Sequence, residues 1–120
     1  MAKVATDGII DGGLDKIAAC TKLTVCAGQP TSFADIAVRA LATATLTGGS
    51  FTKANGDTSG RKITVASQAS MSITATGTAD HVVIDDGVSE YEVTTATSQA
   101  LTSGGTVTSP AFDTEIADPV

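Results

Sequence analysis

Between Ser70 and Thr76 the chain alternates without a break. Met71, Ile73 and Ala75 fall on one side of an extended backbone, and Ser70, Ser72, Thr74 and Thr76 fall on the other. Period two offers one face to a core and the other to water, which is what a half-buried antiparallel strand requires. Similar segments recur: Lys22 to Cys26 with Leu23 and Val25 on one face, Leu41 to Thr47 with threonines at 43, 45 and 47, Lys62 to Ala66 with Ile63 and Val65 aligned, and Ala111 to Ala117 with Phe112, Thr114 and Ile116 opposite Asp113 and Glu115. Gly28-Gln29-Pro30, Gly48-Gly49, Asn55-Gly56-Asp57, Asp86-Gly87 and Gly104-Gly105 separate them, and Gly and Asn supply positive φ at little cost. About seven or eight short strands at this spacing predict an all-β chain, an antiparallel β-sandwich or a jelly-roll-like barrel.

The hydrophobic inventory narrows the packing. There are three Phe, one Tyr and no Trp, so the core is thin and filled by small aliphatic groups, which suits sheet-on-sheet packing better than a helix bundle. A chain of 120 residues makes one domain, 1–120, and buries roughly 65% of its extended surface. One helix is expected near the amino end, about 6–20, where Ile10, Leu14 and Ile17 recur at helical spacing with Asp7 and Asp11 early and Lys16 late. Gly12 and Gly13 each cost it about 1 kcal/mol against Ala, so this helix depends on docking. Ser32 and Asp35 have capping-box spacing, which predicts a further turn or two of helix that gives way to extended chain near Ala40.

Asp86-Gly87 predicts a two-residue hairpin loop. That register sets Asp85 against Val88, Val82 against Tyr91 and His81 against Glu92. Val82, Ile84, Tyr91 and Val93 then share the core face, while His81, Val83, Asp85, Glu90 and Glu92 share an acidic outer face. Gly104-Gly105 predicts a second hairpin between 100–102 and 106–108.

Charge is distributed unevenly. All seven Lys and Arg precede Ile63, whereas eight of the thirteen acids follow it, and the net charge is -6. The acidic half repels nucleic acid and anionic bilayers, and Lys53, Arg61 and Lys62 lack the interleaved aromatics of a phosphate groove. Gly56 to Lys62 fails the phosphate-loop pattern and reads as a turn. Met1 to Ile10 has no apolar leader core, and no stretch is apolar enough for a membrane span. Cys20 and Cys26 read as two buried thiols, since the intervening extended chain holds them beyond disulfide reach. One His and no G-x-S-x-G leave no nucleophile with a matching base, and Asp85, Asp86 and Asp113 lack calcium-loop spacing. The expectation is a non-enzymatic chain with no metal, no cofactor and no small-molecule substrate.

Over nearly its whole length the chain resembles a family of small virion structural proteins of tailed double-stranded DNA bacteriophages. The resemblance runs through LTVCAGQPTSFADI (23–36), NGDTSGRKITVASQ (55–68), SITATGTADHVVIDD (72–86) and VTTATSQALTSGGTVTSPAFDTEIADP (93–119). It implies a capsid cement or decoration protein, made in the host cytoplasm and carried on the capsid surface, with the major capsid protein as partner and self-association on the particle as dimer or trimer. The alternative is a tail- or fibre-associated binding module, which calls for aromatic loops where only Phe33, Phe51, Tyr91 and Phe112 exist. For the cement role, the expected contacts are Ala2, Lys3 and Val4 at the amino end, Lys53, Arg61 and Lys62 on the basic side, and Ile116, Pro119 and Val120 at the carboxyl end.

Overall fold

A computed structural model describes residues 5–118. The chain is mostly β, with two helices and nine strands among the described residues: α1 Asp7–Ala18, β1 Lys22–Cys26, α2 Phe33–Arg39, β2 Ala40–Thr45, β3 Phe51–Asn55, β4 Arg61–Val65, β5 Gln68–Ser72, β6 Gly77–Asp85, β7 Tyr91–Leu101, β8 Thr106–Ser109 and β9 Phe112–Ile116. They form three sheets, of order β2-β1-β6-β7, β3-β4-β9 and β5-β8, and every pairing is antiparallel. Of the expected contacts, Lys53, Arg61, Lys62 and Ile116 fall within the described residues, whereas Ala2, Lys3, Val4, Pro119 and Val120 lie outside them.

Cross-strand partners define the faces, because residues directly opposite lie on the same side. One face of the four-stranded sheet carries Ala42 and Ala44, Leu23 and Val25, then Val82 and Ile84. It packs with Val65 of β4, Met71 and Ile73 to make the main core, and half-buried Phe51 and Phe112 close it. Across the sheet, Cys26 and Val83 are buried with Ile36 of α2. β1 is therefore buried on both faces rather than on the Leu23 and Val25 face alone, since a helix covers its second side.

α1 lies against β3 and β4 with Ile10 and Leu14 buried, so the helix does depend on docking. Gly13 has a packing reason that Gly12 lacks: a Cβ there would stand 3.1 Å from Ile116 Cδ1, whereas one at Gly12 would meet open space. At α2 the Ser32 hydroxyl accepts from the Asp35 N–H at 3.2 Å. The Asp35 carboxylate does not return the bond. It accepts from the Thr31 N–H at 3.0 Å and from Arg39 Nε at 2.7 Å, so only half of the expected capping box forms.

The central hairpin differs from its predicted register. Asp85 opposes Tyr91, Ile84 opposes Glu92, Val83 opposes Val93 and His81 opposes Thr95. The loop spans residues 86–90 because the Asp86 carboxylate accepts from the N–H groups of Val88, Ser89 and Glu90 at 2.9, 3.0 and 3.1 Å, while the Asp86 N–H donates to the Glu90 carbonyl. Three extra loop residues are an odd number, so every β7 side chain changes face. Glu92 and Thr94 share the main-core side with Val82 and Ile84, whereas Tyr91 and Val93 join His81, Val83 and Asp85. The His81–Glu92 pair and the single acidic outer face are overturned.

Gly104-Gly105 is a turn, but its arms do not pair with each other. Residues up to Leu101 belong to β7 beside β6, and β8 pairs with β5. The turn instead carries the chain from one sheet to another and is held by Ile73, whose N–H donates to the Gly105 carbonyl while its carbonyl accepts from the Gly104 N–H, both at 3.0 Å.

Candidate functional site

The pairing of β1 with β6 creates one grouping of chemically active residue types: Cys26 stands directly across from His81. Its neighbour Asp80 accepts from the Gly28 N–H at 2.7 Å and lies 2.8 Å from His81 Nδ1 through the same oxygen, Oδ1. These two bonds, that to His81 first, hold the Asp80 carboxyl below the ordinary carboxylate range. A thiol, an imidazole and a carboxylate are the ingredients of cysteine nucleophilic catalysis, which needs the thiol as thiolate. Here the environment works in the opposite direction. Cys26 is fully buried beneath α2, and burial pushes its thiol up to about 11 despite the nearby Arg39 cation. Cys20, buried in the main core, is likewise pushed up to about 11 by burial, with Asp86, Asp85 and Glu92 adding to it. Both thiols are free and behave as small apolar packing groups.

The cations expected on a partner-binding side are each engaged within the chain. Arg61 Nε donates to Asp11 Oδ1 of α1 at 3.0 Å and its Nη1 to Asn55 Oδ1 at 3.0 Å. Lys53 is bonded to Asp15, one helical turn further along α1. Asp11 holds Arg61, and Asp15 holds Lys53, above their ordinary pKa values through these bonds. Lys62 projects from the other face of the sheet, reaching Asp57 at 2.8 Å and Asp113 at 3.6 Å. Asp113 also accepts from Thr64 Oγ1 at 2.7 Å, and these partners, Thr64 first, hold its carboxyl low. The structure thus brings Lys53, Arg61 and Ile116 together around α1 and sets Lys62 apart from them. Strand alternation explains the split, since Lys53 and Arg61 fall in register with inward-facing Ile63 and Lys62 with outward-facing Asp113.

The acidic groups are dispersed as well. Asp85, almost fully buried, accepts from the Gly87 N–H at 2.9 Å, and Asp86 is held below its ordinary pKa by the N–H groups of Val88, Ser89 and Glu90. Glu92 turns to the other side of the sheet, where the Thr114 hydroxyl of β9 donates to it. Among the described residues, no group of three His, Cys, Asp or Glu is placed to hold a metal ion, and no helix is long and apolar enough to cross a membrane.

A cleft of about 220 Å³ opens between β7 and β8, lined by Val82, Ala96, Gln99, Val107, Ser109 and Pro110 among others. Ser109 is 3% exposed, and its hydroxyl has no hydrogen-bond partner among the described residues. Sequence reasoning missed both this cleft and the Cys26–His81 juxtaposition. Each joins segments distant along the chain, and no local pattern marks them; the buried side of Ser109 leaves at most a trace in the alternation of Val107 and Ser109 with Thr106 and Thr108. Comparison with protein-family models, with curated proteins and with solved structures finds no match for the chain.

Proposed function

We propose that this chain is a capsid cement protein of a tailed double-stranded DNA bacteriophage, a non-enzymatic module that binds the assembled major capsid protein lattice and ties neighbouring subunits together. The observation that supports it most is the way reactive groups are spent on the fold itself. The thiols are buried and held above their ordinary pKa by that burial, Arg39, Arg61, Lys53 and Lys62 are bonded to carboxylates of the same chain, and the Asp86 carboxylate closes a loop. What such a module offers a partner is shape, strand edges and chain ends. In this reading the sheets form a β-sandwich, with the four-stranded sheet as one layer and β3-β4-β9 with β5-β8 as the other. Ile116, 37% exposed beside α1, lies at the end of β9 that leads to the expected carboxyl-terminal contacts.

The mechanism is mass action. A protein that binds only the assembled shell stabilises it by about 2.7 kcal/mol per site at a hundredfold excess over its Kd. Particles lacking the protein should assemble but release packaged DNA at lower temperature or milder osmotic shock, and purified protein added back should restore them. Immunogold labelling confined to the tail would overturn the reading in favour of a tail- or fibre-associated module.

A further inference from the structure

The chain has one Asn, Asn55, and Gly follows it. Asn is a thermolabile residue, and before Gly it is most labile, because no side chain on the following residue screens the backbone nitrogen from the carboxamide. The fold cannot dispense with the pair. Gly56 opens the turn between β3 and β4, where an added Cβ would collide with the Ser59 carbonyl oxygen and the Glu115 carboxylate. Asn55 itself is exposed to water, the reagent that completes its conversion to an acid.

That conversion begins as a ring closure. The Gly56 nitrogen gives its proton to a solvent base and attacks Asn55 Cγ; a C–N bond forms there, the carboxamide C–N bond breaks, and ammonia leaves with a proton taken from water. Water then opens the succinimide. Cleavage at the side-chain carbonyl gives Asp, and cleavage at the main-chain carbonyl gives isoaspartate, whose backbone is one carbon longer. Three features of the fold oppose the first step. Asn55 ends β3 and pairs with Arg61, and a strand ψ of about +135° turns the next nitrogen away from the side chain. The Gly56 N–H, which must lose its proton, donates to the Gly60 carbonyl at 2.9 Å. Arg61 Nη1 donates to Asn55 Oδ1 at 3.0 Å while its Nε is anchored on Asp11, so the carboxamide is drawn toward β4.

We propose that Asn55 is a guarded deamidation site, at which the folded chain suppresses the reaction, Arg61 is the positioning residue that holds the carboxamide away from Gly56, and opening of the 55–61 turn releases it. The two products then have different fates. Asp at position 55 keeps an acceptor for Arg61, so the turn survives. Isoaspartate lengthens the backbone in a turn too tight for a Cβ at Gly56, and the end of β3 loses its pairing with β4. A chain left unfolded therefore ages into a form that refolds incompletely. This chemistry belongs to the chain itself and holds whether or not the module occupies a capsid.

Peptide mass spectrometry during incubation in mildly alkaline buffer tests it, with the native protein compared with the same protein in urea above its unfolding midpoint. Conversion at Asn55 should be about tenfold or more slower in the native protein, since it waits on an opening of the turn. Arg61→Ala should speed native conversion more than Ile84→Ala does, although the core variant loses more stability. That order separates release of the carboxamide from passage through the unfolded state. Chains aged in urea and returned to buffer should divide: those with isoaspartate, recognised by resistance to an endoproteinase that cuts before Asp, should exchange the amides of 51–55 and 61–65 fast, whereas Asn55→Asp should fold with those amides protected. Equal rates in native and unfolded protein, or an Arg61→Ala rate no higher than that of Ile84→Ala, would overturn the proposal.

Discussion

β6 and β7 pair over nearly their full lengths yet live in different surroundings. β6 runs between β1 and β7, and Val82, Val83, Ile84 and Asp85 are all buried in succession because the main core lies on one side and α2 on the other. Among the described residues β7 has a neighbour on one side alone, and six consecutive residues of its distal half, 95–100, are exposed. The compositions follow: a continuous apolar run in the central strand, and Thr, Ser, Gln and Ala in the edge strand. Period-two alternation is the mark of a strand with one wet face, so neither strand shows it cleanly, for opposite reasons.

The sharpest test of this contrast compares truncations one strand apart. Ile84, 1% exposed, touches the core that every sheet shares, and Ile84→Ala should cost about 2 to 5 kcal/mol through lost burial and a residual cavity. Thr97→Ala on β7 should stay within about 0.5 kcal/mol. Urea titrations of both variants, with the slope checked for two-state behaviour, measure the difference. Comparable losses would mean that β7 is covered in the free protein.

The loop joining the two strands is the next point of leverage. Asp86→Ala removes the acceptor of three backbone N–H bonds together with the Asp of the Asp-Gly pair, and should lower the melting midpoint by less than Ile84→Ala. Because the folded carboxyl is held below its unfolded value of about 3.9, its stabilisation is present above that value and is lost as pH falls through the depressed one. The gap between wild type and Asp86→Ala should therefore close in acid. Cross-strand NOEs between Val83 and Val93 check whether the register survives, and a slip in the variant would show that the carboxylate sets it.

Much of the β architecture was legible because it is locally encoded. Met71 and Ile73 are buried and Ser70, Ser72 and Thr74 exposed as the alternation requires, although β5 ends at Ser72 and Ser70 takes a positive φ of 55° at a register shift. The α1 boundaries, the Ser32 cap and the turns at 48–50 and 55–60 likewise follow from neighbouring residues. What was not legible is non-local. Asp-Gly has an intrinsic hairpin preference, but a side chain that takes three N–H groups and a core that takes Val83 outweigh it together. Arg61 read as a surface cation because its partner, Asp11, is fifty residues away, and β8 read as the arm of a hairpin because its true partner, β5, precedes two long strands. The candidate surfaces were hidden for the same reason.

The smallest expected effect lies at the far end of β6, where the register with β7 shifts between Ala79 and His81 and Asp80 occupies the irregularity. Its carboxylate ties that point of the sheet to the chain leaving β1, through the Gly28 N–H, and also lies against His81 Nδ1. Among the described residues β7 makes no side-chain bond of this kind opposite it, so the irregularity is held from the β6 side. Asp80→Asn keeps an acceptor oxygen but loses the charge, and should lower the urea midpoint slightly at about pH 7. The folded carboxyl is depressed, so the stabilisation is fully present above the unfolded value of about 3.9 and disappears as pH falls through the folded one. Midpoints of wild type and variant should converge in acid, as pH falls through the depressed folded value. A gap that persists or widens there would show that geometry at the irregularity, rather than the ionised carboxylate, is what holds β6 to β1.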